Sequence, residues 1–317
     1  MRAVILREFG PPDALVPVDV PDPVAGPGQA LVDVRIANVT FVETQVRAGR
    51  PPHPSMAPAL PVVPGNGVGG TVAAVGSGVD PGLVGARVIS TTGGSGGYAE
   101  RAAVDAGGLV AVPDGLGLAE AVTLLADGRT AMALVRAAAV QPGETVLVEA
   151  AGGGVGSLLV QLAAAAGARV VAAAGAPGKL DLARELGAAA AVDYTRPGWP
   201  DEAGAADVAF DGVGGAVGRA AFELLRPGGR LLVFGLASGA FTQVTDEEAA
   251  ERRVTVTRGL RLTPDDMTAL AAAALAEAAA GRLRPIVGQT FPLERAADAH
   301  AAIESRATLG RTLLVVA

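Results

Sequence analysis

Glu149–Ser157 reads EAAGGGVGS, with glycines at 152, 153, 154 and 156. In a chain of 44 glycines such a run says little by itself. Its flanks decide the reading. Thr145–Glu149 (TVLVE) is an apolar, β-branched run of strand type, and Ser157–Ala166 (SLLVQLAAAA) is a helix candidate that Gly167 ends. Strand, tight turn and helix start together place backbone N–H groups and the positive end of a helix dipole against a pyrophosphate. The plain alternative is an ordinary strand-to-helix turn in a doubly wound domain.

The second strand of such a unit names the dinucleotide, because NAD sites usually end it with an acid that bonds the ribose 2'-hydroxyl. Here it ends Ala172, Ala173, Ala174, Gly175, Ala176, without an acid, and the first charge beyond is Lys179. Lys179 is the sole lysine of the chain; every other basic residue is arginine. An ammonium group there suits a 2'-phosphate, with Tyr194 and Arg196 after the next strand completing the pocket, so NADPH is expected rather than NADH. A solvated lysine at a helix start is the alternative.

The same rhythm extends outward. ARVVAAA, KLDLARELG, AAAVDY, ADVAFDGVG, GRAAFELLRPGG and RLLVFG alternate strand and helix patterns, which predicts a parallel sheet with helices on both faces. Residues 1 to about 118 differ. Short runs such as RAVILREF, QALVDVRIANV, GGTVAAVGSGV and ARVIST lie between glycine and proline clusters, the texture of a mostly β domain. A further helix opens at Thr263-Pro264-Asp265-Asp266 and runs to about Ala280, before Gly281. At 317 residues two domains are expected.

Composition excludes several classes of function. A net charge of -7 and the lack of any basic run disfavour nucleic acid. No apolar run approaches the roughly 20 residues of a membrane span, and Arg7 and Glu8 interrupt any signal-like core, so a cytoplasmic protein is expected. Cysteine is absent, which removes thiol catalysis and the usual zinc ligands, and the histidines, His53 and His300, lie far apart. No metal is expected.

The chain resembles the medium-chain dehydrogenases/reductases, and within them the zinc-free quinone oxidoreductases. The resemblance rests on VLVEAAGGGVGSLLVQLAAAAGARV, GGYAE at 96–100, PGGRLLVFGLASG at 227–239 and AHAAIESRATLGRTLLV at 299–315. It implies an α/β chain with a GroES-like, mostly β catalytic domain (1–119), a Rossmann doubly wound parallel-sheet domain (120–262) that binds NADPH, and a last segment (263–317) returning to the first. It also implies a homodimer and hydride transfer to a small-molecule quinone or activated double bond. Thr40 stands where zinc-dependent relatives place a cysteine, and Asn66-Gly67 where they place histidine-glutamate. Other departures are Thr40 and Glu43 in place of an asparagine and an aspartate, Gln45 where some members carry a substrate-facing tyrosine, and the charged Asp127 and Arg129 beside the expected nicotinamide site.

Gly153, Gly154, Val155 and Gly156 are expected at the pyrophosphate, Lys179, Tyr194 and the strand end at Gly175 at the adenosine side, and Phe234, Gly235 and Ser238 at the nicotinamide ribose. Thr130 and, from the closing segment, Arg311 are further cofactor contacts. For the proton the reaction needs, the candidates are Thr40, Gln45, Tyr98, Arg129 and Thr130, with His53 in its PPHPS loop as another source. Each has a plain alternative: Tyr98 anchoring a turn, Thr130 bonding its own helix, Arg129 pairing with Asp127, His53 solvated. His300 reads as structural. Two other functions fit the same residues: an enoyl-thioester reductase, favoured by Thr40, Gln45 and an aromatic content of 3% that leaves few rings to stack on a quinone, and a non-catalytic NADPH-binding sensor or structural protein.

Overall fold

A computed structural model describes all residues, 1–317. The chain is an α/β protein that divides into two units, Met1–Ala126 with Pro264–Ala317, and Asp127–Thr263.

The second unit is built on six parallel strands. In chain order they are Thr145–Glu149, Arg169–Ala174, Ala190–Asp193, Ala206–Asp211, Leu225–Val233 and Thr255–Arg258. Numbered in that order they lie 3-2-1-4-5-6 across the sheet, the doubly wound arrangement of a Rossmann domain. Because helices cover both faces, the central strands are apolar almost without interruption, as in Val146, Leu147 and Val148 or Val170 to Ala174. The strand order reverses between Thr145–Glu149 and Ala206–Asp211, and a ligand crevice is expected at the carboxyl ends of these two strands.

The helix after the first strand spans Gly154–Ala165, three residues earlier than its sequence suggests. Glycine is a poor helix former, which argues for a start at Ser157. The first turn is nevertheless helical because it must pass close to the strand: a β carbon on Gly156 would lie 2.2 Å from the Ala150 carbonyl oxygen.

The first unit centres on the 11-residue strand Gln29–Val39, which pairs antiparallel with Gly67–Val75, Arg101–Asp105 and Arg311–Val315. Ala30, Val32 and Val34 alternate inward at its start, and Val68, Val72, Val104 and Leu314 from its partners complete that core. The pairing with Gly67–Val75 is irregular between Val34 and Ile36. There Gly70 faces the opposite backbone so closely that a β carbon would sit 2.0 Å from the Asp33 carbonyl oxygen. The helix Pro264–Ala279 starts with proline in its first turn and ends before Gly281 at φ 71°, as the residues there suggest.

Since neither backbone at Gly70 can yield without breaking the ladder, Gly70→Ala should lower stability by about 1–3 kcal/mol in urea unfolding. A midpoint equal to that of the wild type would contradict the tight approach.

Candidate functional site

In the second unit the glycine loop is held by Ala150, which adopts φ 49° and accepts the Gly153 N–H at 2.8 Å. Such a φ is unfavourable for a residue with a β carbon. It turns the chain so that Gly153 becomes the N-cap of the Gly154–Ala165 helix. The first-turn amides have no partner within the helix itself, no side chain caps them from Gly153, and the first turn holds no acid. The buried Asp127, on the Leu118–Ala138 helix, sets its carboxyl against this turn: a β carbon on Gly154 would meet its Oδ2 at 1.9 Å.

The adenosine-side residues come together around this loop. Lys179, in the first turn of the Pro177–Glu185 helix, lays its stem over Gly152, whose β carbon would stand 2.6 Å from the lysine Cβ. The Tyr194 ring covers Gly175 in the same manner, at 2.9 Å. Asp193, at the end of the third strand, accepts the Thr195 N–H at 2.9 Å and its hydroxyl at 2.7 Å, and these two bonds hold its pKa low. That acid bonds Thr195, so the second strand keeps its acid-free end.

Phe234, Gly235 and Ser238 follow the fifth strand and gather beside the end of the fourth. The amides of Phe234 and Gly235 donate to the Asp211 carbonyl at 3.0 and 3.1 Å, and the Ser238 amide donates to the Val213 carbonyl at 2.8 Å. Gly212 lies between the Phe234 ring and Ala150: its β carbon would be 2.8 Å from Phe234 Cζ and 3.4 Å from Ala150 Cβ. The structure therefore brings the glycine loop and the Phe234–Ser238 segment to one crevice at the strand-order reversal. Arg129 and Thr130 lie on the Leu118–Ala138 helix. Helical geometry points Arg129 away from Asp127 two residues earlier, and burial lowers its pKa.

In the first unit a buried polar cluster forms around Glu43. Thr40 caps the Phe41–Arg47 helix: its Oγ1 accepts the Glu43 N–H, and Glu43 Oε2 accepts the Thr40 N–H at 2.6 Å. Glu43 Oε1 accepts the Asn66 N–H at 2.8 Å, and the Tyr98 hydroxyl donates to Oε2 at 3.4 Å. Burial raises the Glu43 pKa against the pull of those amides and of Arg311. Tyr98 has no exposed surface, its hydroxyl is 2.9 Å from His300 Nε2, and burial, with Glu43, raises its pKa well above the usual value. Arg311 donates to the Val39 carbonyl at 3.1 Å, and burial draws its pKa down to about 10.

Thr40, Tyr98 and Arg311 thus meet in one place, inside the unit. Gln45 stands one turn away, donating to Thr44 Oγ1 at 3.2 Å and accepting from Arg50 at 3.4 Å. His53 is outside the cluster: it caps the short turn Pro54–Met56 and bonds Ser55 at 2.7 Å. Glu43 was not among the candidates from sequence, although Thr40-x-x-Glu43 spells a capping box, a signal available from the residues alone. His300 joins the cluster as a neutral ring, its pKa depressed to about 3 by burial and by Arg47.

Residues 26–114 match the model of the alcohol dehydrogenase GroES-like domain, and residues 154–277 match that of the zinc-binding dehydrogenases. A quinone oxidoreductase of Pseudomonas aeruginosa is 32% identical over 326 residues, covering 99% of both chains. A 2-haloacrylate reductase of a Burkholderia species is 30% identical, again over 99% of each. Among solved structures, a mycobacterial protein in complex with NADPH superposes with a TM-score of 0.90 at 32% identity, over 99% of this chain and 100% of the other.

His300 gives a pH prediction. Its folded pKa lies below the unfolded value of 6.5, so the unfolded chain binds the extra proton and stability is lost as pH falls from about 6.5 towards 3. Unfolding free energy should drop by up to about 1.4 kcal/mol per pH unit in that window from this residue. In His300→Gln the dependence should be shallower by that amount, which urea titrations at a series of acidic pH values would read.

Proposed function

Because the chain belongs to the quinone oxidoreductase branch of the medium-chain dehydrogenase/reductase superfamily, we propose that this oxidoreductase transfers a hydride from NADPH to a quinone or an α,β-unsaturated carbonyl without zinc. The observation that carries the reading is the crevice at the strand-order reversal, where a glycine loop with helix-start amides lies under the chain's one lysine. An acid-free second strand and Lys179 favour the 2'-phosphate. The mycobacterial neighbour solved with NADPH supports the same cofactor. Reduction of an electron-poor alkene is supported by the relative named for 2-haloacrylate.

Gly153, Gly154, Val155 and Gly156 would hold the pyrophosphate through backbone amides. Lys179 and Tyr194, beside Gly175, would hold the adenosine phosphate, and Phe234, Gly235, Ser238 and Thr130 the nicotinamide end. When bound, NADPH supplies the hydride; the chain supplies position and stabilises the negative charge that develops on the acceptor. Thr40, Gln45, Tyr98, Arg129 and Thr130 remain the candidate donors towards that charge. Within the first unit the Tyr98 hydroxyl lies in a chain running from Glu43 to His300, so it acts through that network. On this reading residues 1–119 and 263–317 form the catalytic domain and 120–262 the NADPH-binding domain, in a cytoplasmic homodimer. The Thr255–Arg258 strand stands at the edge of the six-stranded sheet, and no helix is long and apolar enough to cross a membrane.

The donor set does not fit the zinc of the zinc-binding relatives. There is no cysteine, no group of three possible ligands comes together, and His300 Nε2 is bonded to Tyr98.

NADPH oxidation should occur with 1,4-quinones or small enones and survive a chelator. Inertness towards a panel of both acceptor types would end this reading. Lys179→Met should raise the Kd for NADPH roughly 10- to 100-fold, the loss of about 1.5–3 kcal/mol for a charged hydrogen bond, while leaving NADH binding within a few-fold by calorimetry.

A further inference from the structure

Two acids end neighbouring strands of the Rossmann sheet. Phe210 pairs with Val148, so Asp211 and Glu149 come next, side by side, and neither has exposed surface. Two ionised carboxylates so placed could not bond each other, since both are acceptors only. The groups that bond them are amides and one hydroxyl. Glu149 Oε2 accepts the Val213 N–H at 3.1 Å, Asp211 Oδ1 accepts the Gly214 N–H at 2.7 Å, and Asp211 Oδ2 accepts the Thr242 hydroxyl. Glu149 Oε1 is fully buried and has no hydrogen-bond partner. Glycine at 218 makes room for the arrangement, as a β carbon there would lie 2.6 Å from Asp211 Oδ2 and 1.9 Å from Thr242 Oγ1.

We propose that Glu149 and Asp211 share one proton, carried on Glu149 Oε1, and that this proton is a positioning device for the dinucleotide crevice. The inference rests on the NADPH reading above. The pair ties the Val213–Gly214 turn and Thr242 to the end of the sheet. That turn in turn holds the Ser238 amide through the Val213 carbonyl, beside Phe234 and Gly235. With the proton present, every oxygen of the pair has a donor or is one. Without it, two negative charges occupy one dry site and repel.

The surrounding charges do not relieve that repulsion. The Gly154–Ala165 helix carries no ionisable residue. On the Gly215–Glu223 helix, Arg219 is engaged with Glu223 and Glu248. Arg226 pairs with Asp207 and Arg230 with Glu144, towards the opposite end of the strands. Asp127 and Lys179 approach the loop at Gly154 and Gly152 and have interactions of their own. Burial, and then Asp211, raise the Glu149 pKa well above its ordinary value. The folded chain therefore holds a proton that the unfolded chain releases. The stability it confers is complete at acid pH and is lost as pH rises through the folded pKa.

The test uses the full chain and Glu149→Gln, which keeps an N–H donor for Asp211 and an acceptor for Val213 but cannot ionise. Melting temperatures without nucleotide, and the Kd for NADPH, are measured for both proteins from about pH 6 to about pH 9.5. The wild-type Tm should fall relative to Glu149→Gln by several degrees across the range. The ratio of wild-type to variant Kd, in which the titration of NADPH itself cancels, should rise at least roughly threefold. Parallel melting curves overturn the shared proton, and diverging curves with a constant Kd ratio overturn its positioning role. Failure of the wild type to bind NADPH at any pH would instead remove the dinucleotide reading, and the positioning role with it, while the melting curves still decide the proton. Should Glu149→Gln not fold, infrared spectra of the Glu43→Gln/Asp127→Asn double variant, which removes the other two buried carboxyls, give the answer. A protonated carboxylic C=O band should persist at neutral pH and vanish on the alkaline side; its absence at about pH 7 overturns the proposal.

Discussion

The second unit depends on one backbone contact, the passage of Gly156 over the Ala150 carbonyl. With a β carbon only 2.2 Å from that oxygen, no other residue fits without moving the helix off the strand. The same turn obliges Ala150 to take a positive φ, a local cost that the surrounding packing must overcome. The contact aims the helix start along the strand end, with Gly153 as cap and the first amides turned towards the crevice. The neighbouring glycines at 152 and 175 then let the Lys179 stem and the Tyr194 ring approach the loop. Close approach, more than flexibility, explains why glycine is used here.

The two units treat buried acids differently. In the first, Glu43 accepts N–H groups from Thr40 and Asn66 with Arg311 nearby, all favouring the ionised form, while burial opposes them. In the second, Glu149 receives a single backbone N–H and faces another acid, so its acidic neighbour and its burial act in the same direction. Surface ion pairs such as Arg184–Asp181 and Arg295–Asp298 surround both units but contribute little, being solvated on both sides. Arg47 is an exception: buried, it bonds the carbonyls of Gly10 and Thr44 and pairs with Glu304, fastening the capped helix to the last one.

Much of the fold was legible because periodicity and punctuation agree. Thr145–Glu149, the alternation of Gln29–Val39 and the proline-started helix at Pro264 all declare themselves in the residues. The helix at Gly154 does not, since propensity argues against glycine there and only the distance to Ala150 explains it. At the site, the phosphate loop and Lys179 could be read from local order, whereas the setting of Tyr98 could not. Its burial against His300 joins residues 202 apart in the chain, a contact without a local signature. Glu43 had such a signature, the capping box, but its link to Asn66 and Tyr98 depends on how the sheet folds back.

The first unit is assembled from two separated stretches of chain, and Arg311–Val315 lies between Gln29–Val39 and Val287–Pro292 in its sheet. The second unit is uninterrupted in sequence. On a ribosome, therefore, the inserted unit can complete its contacts while the surrounding sheet still lacks an inner strand, leaving the Ile36–Val39 end of the long strand with an open edge until synthesis is nearly over. A nascent chain stalled before residue 311 would expose that edge, and it is there that a chaperone has something to hold.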